Sequence, residues 1–518
     1  MSPTPSESSE VAPSTISAKN GSGLRQEVRR GAVWTSLLTV ASRGQQTVLQ
    51  VVLAWLLSPS DFGLIALAYT VMAYAWVLQH AGLGAVLIQR QKRFHLWVSP
   101  ATALVTATGL LATLYALLAA LPAARAYGEP HLAGVIAVLA MAVLPDALRA
   151  VAQAKLRATL RFKAYSQLQM LGLVIVFTLT LALAIGGAGV YSFVIPRVVA
   201  SGVLLVIEWT VARPGLRADR LFGRWRYLIS SSVWVTLAGQ CVAMMNQGDY
   251  TILGIFVSKE VVGQYYFAFM LSTQAMMLVT LNIGGVLTPV LARLQDRPEA
   301  QADRFFEASG LIALVGIPAC FGLALVADPL IRLCFDDRYL PAIPFLQLLS
   351  IGMAFRMVGH NGAFLMQANG RWRGYFVLSL INAVTFVSAC WVGVVLAGPI
   401  GLTVGAVAFY TVFGLTQLWV ATSGRCKHRT NRIASLYAIP LLICGPAFFG
   451  LWLLHRWWMP PAIVGLPLLV LVGAGVPWVS LRVFFPQRLA HLSTQLPIVR
   501  WVSRFRITHR PEQTTSAT

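Results

Sequence analysis

Long apolar runs, interrupted at short intervals by charged and turn-forming residues, set the rhythm of this chain. A spanning helix needs about 20 mostly apolar residues. Fourteen runs meet that length, approximately 31 to 57, 62 to 89, 97 to 122, 131 to 153, 165 to 187, 189 to 212, 228 to 256, 261 to 288, 305 to 327, 341 to 368, 375 to 397, 399 to 423, 433 to 455 and 461 to 484. They are too long and too uniformly apolar for barrel strands, and lipid leaves only helices and closed barrels viable. The pattern predicts an all-α polytopic membrane protein with about 14 transmembrane helices. Composition agrees: of 518 residues, 57% are hydrophobic and 11% charged, and the mean hydropathy is +0.69.

Charge changes the picture by orienting the helices. Of 40 Lys and Arg, 31 fall on the side of the N-terminus, counting Arg482 at the cytoplasmic end of the last run, five on the opposite side, and four (Arg43, Arg149, Arg197 and Arg356) deeper within spans. By the positive-inside rule both termini are cytoplasmic. The net charge of +22 is therefore a topology device with a membrane-surface role, and nucleic acid drops out as a partner. Residues 1–27 have the Ser, Thr and Pro bias of a disordered tail and lack the apolar core of a cleaved signal peptide. Residues 485–518 read as an amphipathic cytoplasmic tail, with Leu489, Leu492 and Leu496 near one face. Six scattered cysteines without CxxC spacing indicate neither a metal site nor a disulfide framework, and no cofactor is expected.

The chain repeats itself. At a shift of 200 residues LLSPSDFGLIALA, from Leu56, lies over FVSKEVVGQYYFA, from Phe256, so that Ser58 meets Ser258 and Gly63 meets Gly263. At a shift of 210, Arg161 meets Arg371 and Tyr165 meets Tyr375. Two pseudo-symmetric six-helix bundles follow, 28–212 and 228–423, joined by a cytoplasmic linker at 213–227 and followed by two additional helices in 424–484. Such repeats are a hallmark of transporters that rock around a central site.

Several stretches resemble a known family. RGAVWTSL from Arg30, LAWLLSPSDFGLIALAYTV from Leu53 and AGLGAVLIQR from Ala81 look like the opening of the Wzx-type polysaccharide flippases, a branch of the multidrug/oligosaccharidyl-lipid/polysaccharide exporter superfamily. LTPVLARLQD from Leu287 and ADPLIRLCFDDRYLPAIPFLQLLSIG from Ala327 agree, and the resemblance covers roughly residues 28 to 420. It implies two six-helix bundles around a central cavity. It also implies alternating access carrying an undecaprenyl-diphosphate-linked oligosaccharide across the bacterial inner membrane, for surface or exopolysaccharide biosynthesis. Partners on this view are the lipid-linked substrate, membrane lipid, and a polysaccharide polymerase with its chain-length machinery.

Polar residues inside the spans supply the candidate chemistry. An intramembrane charge costs roughly 3 kcal/mol on insertion scales and usually marks a hydrated path, an ion partner or a substrate. Arg43, Gln46 and Gln50 recur at helical spacing about 18 Å into the first helix and share one face. The repeat lays Gln46 over Asn246, beside Asp249 in the seventh helix. These residues are the cavity candidates. Arg43 is either a forked ligand for a diphosphate or the ion-pair partner of Asp249. In the fourth helix Asp146 and Arg149 lie three apart and form a candidate gate salt bridge. At the 210 shift Asp146 falls on Arg356, which joins His360 and Asn361 in a second patch or closes the gate network. Arg356 is also a cavity candidate, and Asp249 and His360 are ion-coupling candidates. Glu208, near the cytoplasmic end of the sixth helix, reads as interfacial.

An enzyme would need a catalytic constellation in a loop or at the interface. No periplasmic loop exceeds about 13 residues, and the largest contributes Asp328, Asp336 and Asp337 without a partner base. A membrane-embedded polysaccharide polymerase is thus disfavoured. Two other transporters remain open as alternatives: a cation-coupled drug antiporter and a peptidoglycan lipid precursor flippase.

Overall fold

The computed structural model describes residues 34, 37–39, 41–80, 94–159, 161–215, 223–426 and 428–457. The N-terminal tail, most of the RGAVWTSL stretch, AGLGAVLIQR, the fourteenth run and the amphipathic tail lie outside the described residues. The described chain is helical almost throughout. In order come α1 (41–56), α2 (Pro59–His80), α3 (Phe94–Ala126), α4 (His131–Ala158), α5 (Phe162–Ile185) and α6 (Tyr191–Ala212). They are followed by α7 (Gly223–Phe256), α8 (Lys259–Arg293), α9 (Pro298–Cys334) and α10 (Ala342–Ala368). The stretch Trp372–Ala421 is two helices, α11 (372–396) and α12 (399–421), and α13 (Arg429–Trp457) follows. Each overlies one of the first thirteen apolar runs, so the chain is an all-α, multi-pass membrane protein.

The lipid-facing surfaces are visible in what stays exposed. Leu110, Leu114, Leu118 and Leu121 on α3, and Val392, Val395 and Leu396 on α11, project from the protein. In water such surface would be unstable; in hydrocarbon it loses nothing.

Local chemistry explains where helices begin. Ahead of α2, Ser58 Oγ donates to Asp61 Oδ2 at 2.7 Å, the Ser58 amide donates to the same oxygen at 3.1 Å, and the Asp61 amide donates to Ser58 Oγ at 3.3 Å. This reciprocal box satisfies amides that have no intrahelical acceptor. Pro59 at the first helical position has no amide to satisfy. The SPSD of the family-like stretch is thus a helix start. At α8 the same role falls to Ser258 and Glu260: hydrogen bonding to Ser258 and to a backbone amide holds the Glu260 carboxyl below the usual range. Between α11 and α12 the helix is broken at Ala397 and Gly398, and Gly398 has a φ of 60°, which a side chain would disfavour. Pro399 then opens α12. The two helices pack so closely that a methyl on Gly393 would strike the Gly401 carbonyl, and one on Gly405 the Ala389 carbonyl.

By their contacts the residues form two compact units, Met1–Tyr266 with Ser379–Val387, and Phe267–Leu378 with Ser388–Thr518. In the first, α4 packs against α3 and α6, and α7 lies along α2. A methyl on Gly239 of α7 would press on Val77 of α2. In the second, α9 packs on α10 and α13. The 210-residue repeat is legible in the backbone. Thr159 and Asn369, which end α4 and α10, have φ, ψ of −91°, 11° and −95°, 7°. Arg161 and Arg371, which precede α5 and α11, have −78°, 51° and −80°, 52°.

Candidate functional site

The polar face of α1 is present as its spacing requires. Arg43 is half-buried and its Nη1 donates to Gln46 Oε1 at 2.9 Å, three residues on. Gln46 is exposed and Gln50 half-buried. Gln45, on the neighbouring stripe, donates to the Leu173 carbonyl of α5 at 2.8 Å and ties α1 down. Arg43 does not reach Asp249 in this structure. Asp249 is fully buried in α7, where Oδ2 accepts from the Tyr265 hydroxyl of α8 at 2.8 Å and Oδ1 from the Tyr250 amide at 2.9 Å. Asn246, one turn earlier, is half-buried.

Asp249 adjoins an aromatic cluster. Tyr250 packs edge-on against Tyr265 and Tyr266, with centroids 5.5 and 5.6 Å apart, and Tyr266 meets Tyr69 at 6.5 Å. Tyr69 meets Trp76 at 5.3 Å, and the Arg197 guanidinium lies over the Trp76 ring, 4.6 Å from its centre. Edge-to-face pairs of this kind fix ring orientation as well as burying area.

The second constellation joins α4, α5 and α6. Asp146 and Arg149 are paired as expected, at 2.8 Å. Arg149 also donates from Nε and Nη2 to the two Glu208 oxygens at 3.2 and 3.1 Å, a bidentate fork. Gln153 reaches both Glu208 oxygens at 3.3 and 3.2 Å, and Gln169 reaches Oε1 at 3.0 Å. Glu208 is fully buried, which corrects its reading as an interfacial residue. Position near a helix end suggested water; the neighbouring ends of α4 and α5 extend past it and cover it. A buried carboxylate persists only with such saturation of its lone pairs. Spacing along α6 could not show this, because the partners stand 39 to 59 residues away. The one available signal was an acid in an apolar helix with no cation one turn away.

In the second unit Arg356 is buried in α10. Its Nη1 donates to the Tyr410 hydroxyl of α12 at 3.0 Å, and its guanidinium lies 4.7 Å from the Tyr410 ring centre and 5.7 Å from that of Phe269. His360, one turn on, meets the Phe364 ring edge-on at 5.6 Å. Asn361 is fully buried, and neither amide atom is hydrogen-bonded to a described residue. Close passage of α10 over α12 is allowed by glycine: a methyl on Gly359 would strike Gly414, and one on Gly362 the Gln417 carbonyl. Among the described residues no group of three His, Cys, Asp or Glu side chains is placed to hold a metal ion.

The fold is shared with solved transporters. The structure of the lipid II flippase MurJ in an inward closed conformation is 12% identical with a TM-score of 0.70, covering 87% of this chain and 98% of that one. An inward-facing multidrug resistance MATE family transporter of the MOP superfamily is 15% identical with a TM-score of 0.55, covering 76% and 96%. At these identities the likeness is one of fold.

Sequence relatives are more specific. The lipopolysaccharide biosynthesis protein WzxC of Escherichia coli (strain K12) is 25% identical over 389 residues, 74% of this chain and 78% of that protein. The teichuronic acid biosynthesis protein TuaB of Bacillus subtilis (strain 168) is 24% identical over 357 residues, 67% and 72%. The succinoglycan biosynthesis transport protein ExoT of Rhizobium meliloti (strain 1021) is 23% identical over 376 residues, 71% and 74%. Residues 52–344, more than half of the chain, match the family model described as polysaccharide biosynthesis protein, and the chain belongs to that family.

Proposed function

We propose that the chain is a flippase that moves an undecaprenyl-diphosphate-linked oligosaccharide from the cytoplasmic to the periplasmic leaflet of the bacterial inner membrane by alternating access. Family membership and relatives named for the synthesis of surface polysaccharides support this reading. The observation that carries it is Arg43: a guanidinium on a membrane helix with one donor engaged, by Gln46, among the described residues. Neutral drugs and cations have no use for such a group. A diphosphate does, because its oxygens accept the forked, charge-assisted bonds that arginine donates.

In this proposal the bundles 28–212 and 228–423 are the moving halves, with both termini in the cytoplasm. Gln46, Gln50, Asn246 and Arg356 complete the polar lining, and the Asp146 and Arg149 pair braces the N-terminal bundle. Asp249 and His360 are the groups through which an ion gradient would couple. One charge crossing 100 mV supplies about 2.3 kcal/mol. A polymerase and its chain-length machinery would consume the product.

The test is translocation of an undecaprenyl-diphosphate-linked oligosaccharide in proteoliposomes, comparing wild type with Arg43→Ala and Arg43→Lys after matching their insertion and folding. Transport that needs wild type and collapses in both variants supports the proposal. A second reading rests on the fold shared with MurJ and MATE transporters. Transport of a peptidoglycan lipid precursor or of a cationic dye in place of the oligosaccharide would establish it.

A further inference from the structure

The two halves of the repeat use one arginine differently. In the first, Arg161 precedes α5 and its Nη1 donates to the Val211 carbonyl at 3.2 Å, in the last turn of α6 where a helix leaves its carbonyls unmet. The 210-residue shift lays Arg371 on Arg161 and Ala421 on Val211, and the two arginines have nearly the same φ and ψ. Yet the half-buried Arg371 side chain makes neither a hydrogen bond nor an ion pair with a described residue.

A second guanidinium stands beside it. The glycine contacts that seat α11 on α12, Gly393 with Gly401 and Gly405 with Ala389, bring Arg371 level with Ser423, two residues before Arg425. Arg425 is fixed by an amide platform. Gln301 is fully buried, donates from Nε2 to the Leu291 carbonyl at 2.7 Å, and exchanges 3.3 Å contacts with the Asn369 amide at the end of α10. Its Oε1 accepts from Arg425 Nε at 3.0 Å, which orients the guanidinium and engages none of its Nη groups. Burial, and then repulsion from Arg371, lower the Arg425 pKa from its ordinary value. The acids of α9 do not relieve this: Asp303 and Glu307 are paired with Arg432 and Arg304 at 2.7 and 2.8 Å. Two oriented guanidiniums that repel one another match the charge and the oxygens of a phosphate group.

The surroundings select the kind of phosphate. Both arginines stand where α11 begins and α12 has ended, on the side that carries the excess of Lys and Arg, which faces an anionic leaflet. The adjoining turns expose apolar side chains, Val377 on α11 and Leu415 and Trp419 on α12, and Arg429 lies 3.8 Å from the Trp419 ring centre. Acyl chains lie on such a surface at no cost, and a tryptophan beside arginines marks headgroup depth. A soluble phosphate would use the charges alone.

We propose that Arg371 and Arg425 form a headgroup site for an anionic phospholipid, which binds the second compact unit as a resident lipid and not as cargo. The site does not rest on the flippase reading.

The experiment measures binding of phosphatidylglycerol, phosphatidylcholine and water-soluble glycerol phosphate to the full chain in detergent by native mass spectrometry, with thermal unfolding alongside. Wild type is compared with Arg371→Gln, Arg425→Gln, the repeat counterpart Arg161→Gln and the surface control Arg304→Gln. Wild type should prefer phosphatidylglycerol and unfold at a higher temperature in its presence. Each of Arg371→Gln and Arg425→Gln should weaken that binding roughly tenfold, the worth of a charge-assisted bond, while both controls stay within twofold. Arg371→Gln supplies the readout that a merely structural role would not move: without lipid it should be at least as stable as wild type, because repulsion on Arg425 is relieved, yet gain little from phosphatidylglycerol. It also decides alone if Arg425→Gln does not fold. Affinities of Arg371→Gln within twofold of wild type overturn the proposal, as does an equal loss in Arg304→Gln, which would make the effect one of overall charge. Glycerol phosphate or phosphatidylcholine bound as tightly as phosphatidylglycerol overturns it too.

Discussion

Gly63 and Gly263, the residues that the 200-residue shift lays on one another, touch. A Cβ on Gly263 would stand 2.9 Å from the Gly63 nitrogen and collide with the Pro59 carbonyl, while one on Gly63 would collide with the Lys259 carbonyl. Pro59 and Lys259 are themselves related by the same shift. Each glycine thus packs on the residue that opens the other's helix, the arrangement a twofold axis between them generates. Backbone cannot yield as a side chain does, so Gly63→Ala and Gly263→Ala should each destabilise by about 1–3 kcal/mol, despite alanine's better helix propensity. Because the two share one contact, the double variant should lose less than the sum. Thermal unfolding of the purified protein in detergent checks this, and additive losses would mean that the helices separate independently.

Replacing Glu208 should be more damaging. Removing one member of a buried ion network leaves its partner charged and unpaired, at a cost of about 3–5 kcal/mol. Glu208→Ala should therefore lower the unfolding temperature and the folded yield sharply, and adding Arg149→Met should recover part of the loss. Equal stability of wild type and Glu208→Ala would show that water reaches the site.

On the far side of the same unit, Lys259 Nζ stands 2.9 Å from Glu129 Oε2, joining the α3 to α4 loop to the start of α8. The pair is partly exposed, so its contribution is small, about 0.2–1 kcal/mol, and screened by salt. Cysteines at both positions should form a disulfide in membrane vesicles, and the charge-swapped pair Glu129→Lys with Lys259→Glu should restore what either single reversal loses. Failure of the cysteines to cross-link under oxidant would count against this contact.

The helix starts make a pH-dependent prediction. With its carboxyl held below the usual range, Glu260 contributes stability that is present at neutral pH and lost as the pH falls through its lowered value. Glu260→Gln should lower stability slightly at pH 7 and match wild type in strong acid. For the neutral part of the α2 start, Ser58→Ala should cost about 1 kcal/mol at any pH. Unfolding curves of the three proteins across the acid range provide the comparison.

These outcomes bear on how far residue patterns alone could see. Helix order and the Asp146 to Arg149 bond were legible, because each depends on hydropathy or on fixed spacing, whereas the 200-residue shift laid Gly63 over Gly263 without showing that they touch. Arg356 was placed within a span as a cavity or gate candidate, yet its partner Tyr410 stands 54 residues away on α12 and no periodicity points to it. Arg43 was put on one face with Gln46 and Gln50 and given Asp249 as one of two partners; in the structure it bonds the local Gln46. Glu208 escaped because depth was judged from its own helix. What remained hidden in each case is the packing of one helix against another, which sets the true depth of a side chain.

The break at Ala397 and Gly398 leaves almost no chain between α11 and α12, and the glycines that follow seat one helix against the other before anything else need be present. Such a pair does not require the translocon to release each segment alone. Insertion as a preassembled hairpin is the expected consequence, so a bulky residue at Gly398 should be felt first during biogenesis, as protein degraded at the membrane, and only afterwards as lost transport.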